Sequence, residues 1–170
     1  MTTESLSLAN KPWYQRPSVN VAPEGFEALL ADTVTVLQRA ATNAPCVFAS
    51  SLSAEDMVLF HLINRERMAI RTFALDTERL PKATLKLWET IESRYGTIIE
   101  RVAPDSDRLR TLAQTQSNSA IFETKAAREL CCTVRKTEPL RRTLAGKAAW
   151  VTGLRRAQSA GRASVPYQEW

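Results

Sequence analysis

The sequence has no run of about 18 apolar residues, so no segment reads as a membrane-spanning helix. Its first twenty residues, MTTESLSLANKPWYQRPSVN, lack a charged region followed by an apolar one, so they do not read as an export signal. There are only three cysteines, Cys46, Cys131 and Cys132. An odd count without export argues against a disulfide framework and leaves thiol chemistry, metal ligation or plain buried thiols. Neither a G-x-x-x-x-G-K-S/T loop nor a G-x-G-x-x-G turn occurs, and no internal repeat stands out. The one histidine, His61, falls inside an apolar helical pattern without a partnering motif and reads as structural. What remains is a soluble, cytoplasmic chain of 170 residues, 44% hydrophobic, enough for one core of ordinary size.

Charge is present but unevenly placed. Ten of the 23 Lys and Arg residues lie between 125 and 162, against only Glu129 and Glu138, while the first 124 residues are nearly balanced. That concentration suits an anionic ligand, a small phosphate or sulfate ester or a nucleic-acid backbone, and equally suits a solvated helix face.

Residues 1–22 are polar and proline-punctuated and read as an extended or mobile leader with Trp13 and Tyr14 as candidate anchors; a single domain is expected over 23–170. From there the pattern alternates. A helical stripe over 24–41 (Phe26, Leu29, Leu30, Val34, Leu37, Ala41) precedes a short apolar strand at 45–50. Ser53 and Asp56 then resemble a helix-opening cap, with an acidic first turn at Glu55 and Asp56. Further strands are expected at 69–75, 97–102 and 148–152. Helices are expected at 82–95, ending at Gly96, and near 105–116, 119–130 and 137–145. Strands alternating with helices of this length imply an α/β fold, an open, mostly parallel sheet flanked by helices, with ligands at the carboxyl ends of the strands.

That rule selects three loops. SSLSAEDM follows the first strand, where Ser50, Ser51 and Ser53 and the amides of the next helix offer an anion site or simply a cap. LDTERLP follows the second, where Leu75, Asp76 and Thr77 can face a ribose or adenine or merely cap a turn before Pro81. TGLRRAQSAGR follows the last and carries Gly153, Arg155, Arg156, Gln158, Ser159 and Arg162. Guanidinium groups present paired donors to phosphate and sulfate oxygens.

Together, SSLSAEDM, LDTERLP, CCTVRKTEPLRR and WVTGLRRAQSAGR resemble the assimilatory sulfonucleotide reductases, in particular the iron-sulfur adenylyl-sulfate reductases of bacteria, over roughly residues 25–165. The resemblance implies an adenine-nucleotide alpha-hydrolase-like fold, related to that of the ATP pyrophosphatases. It implies adenylyl sulfate or AMP as ligand, and thioredoxin or glutaredoxin as reductant. It also implies a 4Fe-4S cluster for which Cys131 and Cys132 supply two of four thiolates, the other two coming from a downstream CxxC pair. Because the related 3'-phosphoadenylyl-sulfate reductases lack this cysteine pair, the pair favours adenylyl sulfate. Arg135 and Lys136 are expected between cluster and substrate.

Some features depart from the family pattern. The sequence stops at YQEW, without the downstream CxxC or the Glu-Cys-Gly segment that carries the family's nucleophile. The expectation is therefore the N-terminal portion of a longer reductase, with no catalytic residue of its own and Cys46 as an inert strand residue. Ser53 and Glu78 stand where many relatives have glycine. Two other readings remain, a nucleotide-binding domain without catalysis and a basic nucleic-acid-binding module; the scarcity of stacking aromatics in 125–162 counts against the latter.

Overall fold

The computed structural model describes residues 24–117 and 119–169, so the expected leader over 1–22 lies outside the described residues. These residues fall into two units, one ending at Thr33 and the other running from Val34. The first helix, α1 (Phe26–Thr42), carries the predicted stripe, of which only Leu37 is buried. Then follow β1 (Cys46–Ser50), α2 (Ala54–Arg65), β2 (Ile70–Leu75), α3 (Lys82–Tyr95), β3 (Glu100–Val102) and α4 (Ser106–Thr115). The chain continues through α5 (Ala120–Glu123), α6 (Lys125–Cys132), a π-helical turn (Thr133–Thr137), α7 (Glu138–Leu144) and β4 (Ala149–Thr152). Two 3-10 turns, Arg156–Gln158 and Ala160–Arg162, complete it.

All strand pairs are parallel, in the order β3-β2-β1-β4. Parallel strands bury both faces, and β1 shows it: Cys46, Val47, Phe48 and Ser50 are buried along CVFAS. One face gathers Val47, Phe73 and Val102, covered by Leu140 and Leu144 of α7. α2 and α3 lie side by side, the rings of Phe60 and Tyr95 meeting edge to face at 5.0 Å. α3 ends as its sequence implies, at Gly96 with φ 62°, a left-handed cap that glycine adopts without a Cβ penalty.

Three expected elements are corrected. The strand expected over 97–102 is confined to Glu100–Val102, and Ile98 is 85% exposed. The helix expected over 119–130 is broken at Thr124, whose extended backbone and side-chain bond to the Ala127 amide start a new helix. The segments read as separate helices near 119–130 and 137–145 are joined through the π turn, so Cys131 and Cys132 lie within a helical run continuing to Leu144, not at its end. A π turn inserts an extra residue and is enriched at functional sites.

Candidate functional site

Strand order locates the site. From β1 the chain winds outward to β2 and β3, then returns to lay β4 on the other side of β1, so the connections diverge between β1 and β4. In open α/β sheets that divergence leaves a crevice at the carboxyl ends of the strands. The registers Ser50↔Ala74 and Ala49↔Thr152 bring the ends of β1, β2 and β4 level, so the three predicted loops emerge side by side.

The first loop is built around an acid. Asp56, only 4% exposed, accepts from the Ser51 amide at 2.6 Å and the Ser51 hydroxyl at 2.5 Å, with Ser53 Oγ at 3.4 Å. The expected Ser53–Asp56 cap is therefore corrected. Ser53 holds the N-cap position of α2 but makes no side-chain cap bond, because the Asp56 carboxylate points back into the loop. Leu52 is buried in the left-handed region at φ 61°, and its amide donates to the Ser50 hydroxyl at 3.1 Å. Such strain in a non-glycine residue persists only where surrounding structure enforces it.

Asp56 also joins the first loop to the third. A Cβ built on Gly153 would overlap Asp56 Oδ1 and lie 3.3 Å from Asp56 Cα, so the chain leaving β4 passes too close for any side chain. Next to it, Glu55 receives Arg155 Nε at 3.3 Å and the Gln158 side-chain amide. The Glu55 carboxyl is held below its usual value, chiefly by its own backbone amide, with the Arg155 charge and the Ser53 hydroxyl adding to the effect. Arg162 donates to the Gln158 carbonyl oxygen. Arg156 turns elsewhere, donating to Val165 O at 2.8 Å with its guanidinium 4.1 Å from the Tyr167 ring centre. Ser159 is exposed between the two 3-10 turns.

The second loop is a self-bonded turn. Asp76 accepts from the Glu78 amide at 3.0 Å and the Thr77 hydroxyl from the Arg79 amide at 3.3 Å. Glu78 sits at φ 55°, a conformation that suits glycine. Arg135, from the π turn, donates to Thr77 O at 2.7 Å and so ties the cysteine-bearing segment to this loop, while Lys136 is exposed. Leu75 ends β2, half-buried. Two pairs of the predicted segments are thus linked: the first loop to the third, and the second to CCTVRKTEPLRR.

The cysteines divide. Cys46 is buried in β1, and burial pushes its thiol pKa up. Cys131 is half-buried and Cys132 exposed. Among the described residues no group of three or more His, Cys, Asp or Glu side chains converges as a metal site. Cys131 and Cys132 supply at most two of the four thiolates a 4Fe-4S cluster needs, and the described residues do not supply the others. His61 pairs its Nδ1 with Tyr95 Oη at 3.2 Å, a structural contact.

Another concavity lies elsewhere among the described residues. A shallow groove of about 820 Å³ sits at the amino ends of β2 and β3, lined by His61, Arg67, Arg71, Arg94, Tyr95 and Ile98 among others. Topology and every linked loop instead place the candidate site at the other end of the sheet. Much of the basic excess in 125–162 is engaged internally: Arg142 donates to Ala103 O at 2.7 Å, and Arg135, Arg155 and Arg156 make the contacts above. Sequence reasoning took Glu55 and Asp56 only as a cap and an acidic first turn. The signal that could have singled them out is the placement of two carboxylates directly after a loop expected to receive an anion.

Comparison with known proteins agrees with this geometry. Residues 45–170 match the model of the phosphoadenosine phosphosulfate reductase domain. The chain is 53% identical over 124 residues to the adenosine 5'-phosphosulfate reductase of Allochromatium vinosum, covering 73% of this chain and 48% of the relative. It is 41% identical over 152 residues to the enzyme of that name from Neisseria meningitidis serogroup A, covering 86% and 62%. With that of Sinorhizobium fredii NGR234 it shares 35% identity over 169 residues, covering 99% and 63%. The chain thus spans from about half to somewhat under two thirds of the length of these relatives. No helix among the described residues is long and apolar enough to cross a membrane. A parallel sheet whose loops meet at a β1–β4 crevice, and a domain match running from the first strand to the end of the chain, lead to one assignment: the chain belongs to the phosphoadenosine phosphosulfate reductase domain family.

Proposed function

We propose that this chain is the nucleotide-binding part of a cytoplasmic adenylyl-sulfate reductase of sulfate assimilation. The observation that carries the reading is the convergence of the Ser50–Ser53 and Gly153–Arg162 loops at the β1–β4 crevice, joined through Asp56 and Glu55. In this reading Ser53, Arg155, Gln158, Ser159 and Arg162 hold the phosphosulfate oxygens, by hydroxyls, amides and guanidinium groups that match tetrahedral anions; Ser51 shapes the loop through Asp56, and Arg156 joins only by leaving Val165 O. Leu75, Asp76 and Thr77 face the adenosine, and Lys136 approaches the ligand from the cysteine-bearing segment. A 4Fe-4S cluster held in part by Cys131 and Cys132 would supply negative charge close in sequence to Arg135 and Lys136.

The reaction needs a thiolate to attack the sulfur of adenylyl sulfate. The bond from sulfur to the bridging oxygen breaks, AMP leaves with that electron pair, and an S-sulfocysteine remains. A thioredoxin or glutaredoxin dithiol then reduces it, forming a disulfide and releasing sulfite. None of the three thiols here suits the attack: Cys46 is buried with its thiol pKa raised, and the other two are assigned as ligands. The chain's own contribution is to bind and orient the nucleotide. The 170-residue polypeptide is therefore expected to bind adenylyl sulfate and AMP in calorimetry and to release no sulfite when given thioredoxin. Absence of nucleotide binding would remove the proposal, and sulfite release would remove the assignment of the thiols. Binding without turnover also fits a non-catalytic nucleotide domain, which is separated by supplying the remaining family segment in trans or in fusion: the reductase reading requires sulfite to appear.

A further inference from the structure

Two of the side chains assigned to the ligand, Arg155 and Gln158, already meet at one carboxylate. Glu55 accepts from Arg155 Nε at 3.3 Å and from the Gln158 side-chain amide. Gln158 is held in turn by Arg162 and by the Arg155 amide at 3.3 Å. A carboxylate at the β1 side thus collects donors from the loop after β4, as a bound sulfate or phosphate would.

The neighbouring acid behaves differently. Asp56 is buried and commits one oxygen to two donors of a single residue, Ser51, so displacing it would dismantle the loop. Glu55 reaches Arg155, which is 62% exposed, across a contact that water can replace. Exposed pairs of this kind contribute little net stability, so the Glu55 contact is exchangeable where the Asp56 contact is not.

We propose that Glu55 is an internal competitor for the anionic group of the ligand: its carboxylate holds Arg155 and Gln158 together in the free protein and must be displaced for a phosphate or sulfate to take those donors. Glu55 is an affinity-setting residue, and the 153–162 loop closes on its own carboxylate when no ligand is present. This inference rests on the crevice being the ligand site.

The test compares the 170-residue wild type with Glu55→Gln and with the Glu55→Gln/Arg155→Ala double variant, using AMP and inorganic sulfate as separate probes in calorimetry. Hydrogen exchange reports on residues 153–162. Glutamine keeps the size and an acceptor but removes the charge. Glu55→Gln is expected to bind both probes about fivefold more tightly, to exchange faster at 153–162, and to lose its gain when Arg155 is also replaced. Equal or weaker binding of both probes by Glu55→Gln overturns the competitor, as does unchanged exchange of the loop. If AMP binds none of the proteins while sulfate still binds more tightly to Glu55→Gln, the competitor stands and the nucleotide reading fails.

Discussion

Gly153→Ala is expected to eliminate nucleotide binding and to lower the stability of the fold by about 1–3 kcal/mol, the usual cost of forcing extra volume into a filled space. The added Cβ would overlap a carboxylate oxygen of Asp56, and Asp56 cannot swing aside without releasing the Ser51 amide and hydroxyl. Either the β4 loop or the β1 loop must move, and both line the proposed site. Asp56→Ala alone is expected to cost about 1–3 kcal/mol through the buried donors it leaves unpaired. It also vacates the space the new methyl needs, leaving only the 3.3 Å approach to the backbone at residue 56. The double variant should therefore lose clearly less than the sum of the two single losses, since residues in contact do not add. Urea midpoints for the four proteins check this, and strict additivity would mean that the two positions do not touch.

Trp88→Ala is expected to be the most damaging single truncation in the core, at about 3–5 kcal/mol. The indole is fully buried on the inner face of α3, its Nε1 donates to Glu92 at 3.2 Å, and the Arg101 guanidinium lies 4.5 Å from the ring centre. Glu92 also accepts from the Ile99 amide at 2.9 Å, so losing the ring loosens the turn that leads into β3. Trp88→Phe, which keeps most of the apolar area, should recover most of the loss; equal midpoints for the alanine and phenylalanine variants would contradict this account of α3.

How far the fold could be read beforehand depended on the range of the forces involved. The strand at 45–50, the helix at 82–95 and its stop at Gly96 are written in local periodicity and in one residue able to adopt φ 62°. The break at Thr124 and the π turn at Thr133–Thr137 are not, since their residues fit a helix equally well. β3 is shorter than expected although Ile99, just before it, is buried as Val102 is, so burial alone does not set its start. Placement of β4 beside β1 is a tertiary choice, and with it comes the crevice. The three loops were legible because strand ends are. Their partners were not: Arg155 meets Glu55 a hundred residues away and Arg135 meets Thr77 at a separation of 58.

The central claim is that the ligand sits at the carboxyl ends of β1, β2 and β4. Amide chemical-shift mapping of the labelled 170-residue chain during titration with adenylyl sulfate tests it most directly, because the competing groove lies at the opposite end of the same sheet. The account predicts the largest shifts at Ser51–Glu55, Asp76–Arg79 and Gly153–Arg162, with little change at His61, Arg67, Arg94 and Ile98. Shifts concentrated on that second set, with the three loops unmoved, would contradict it.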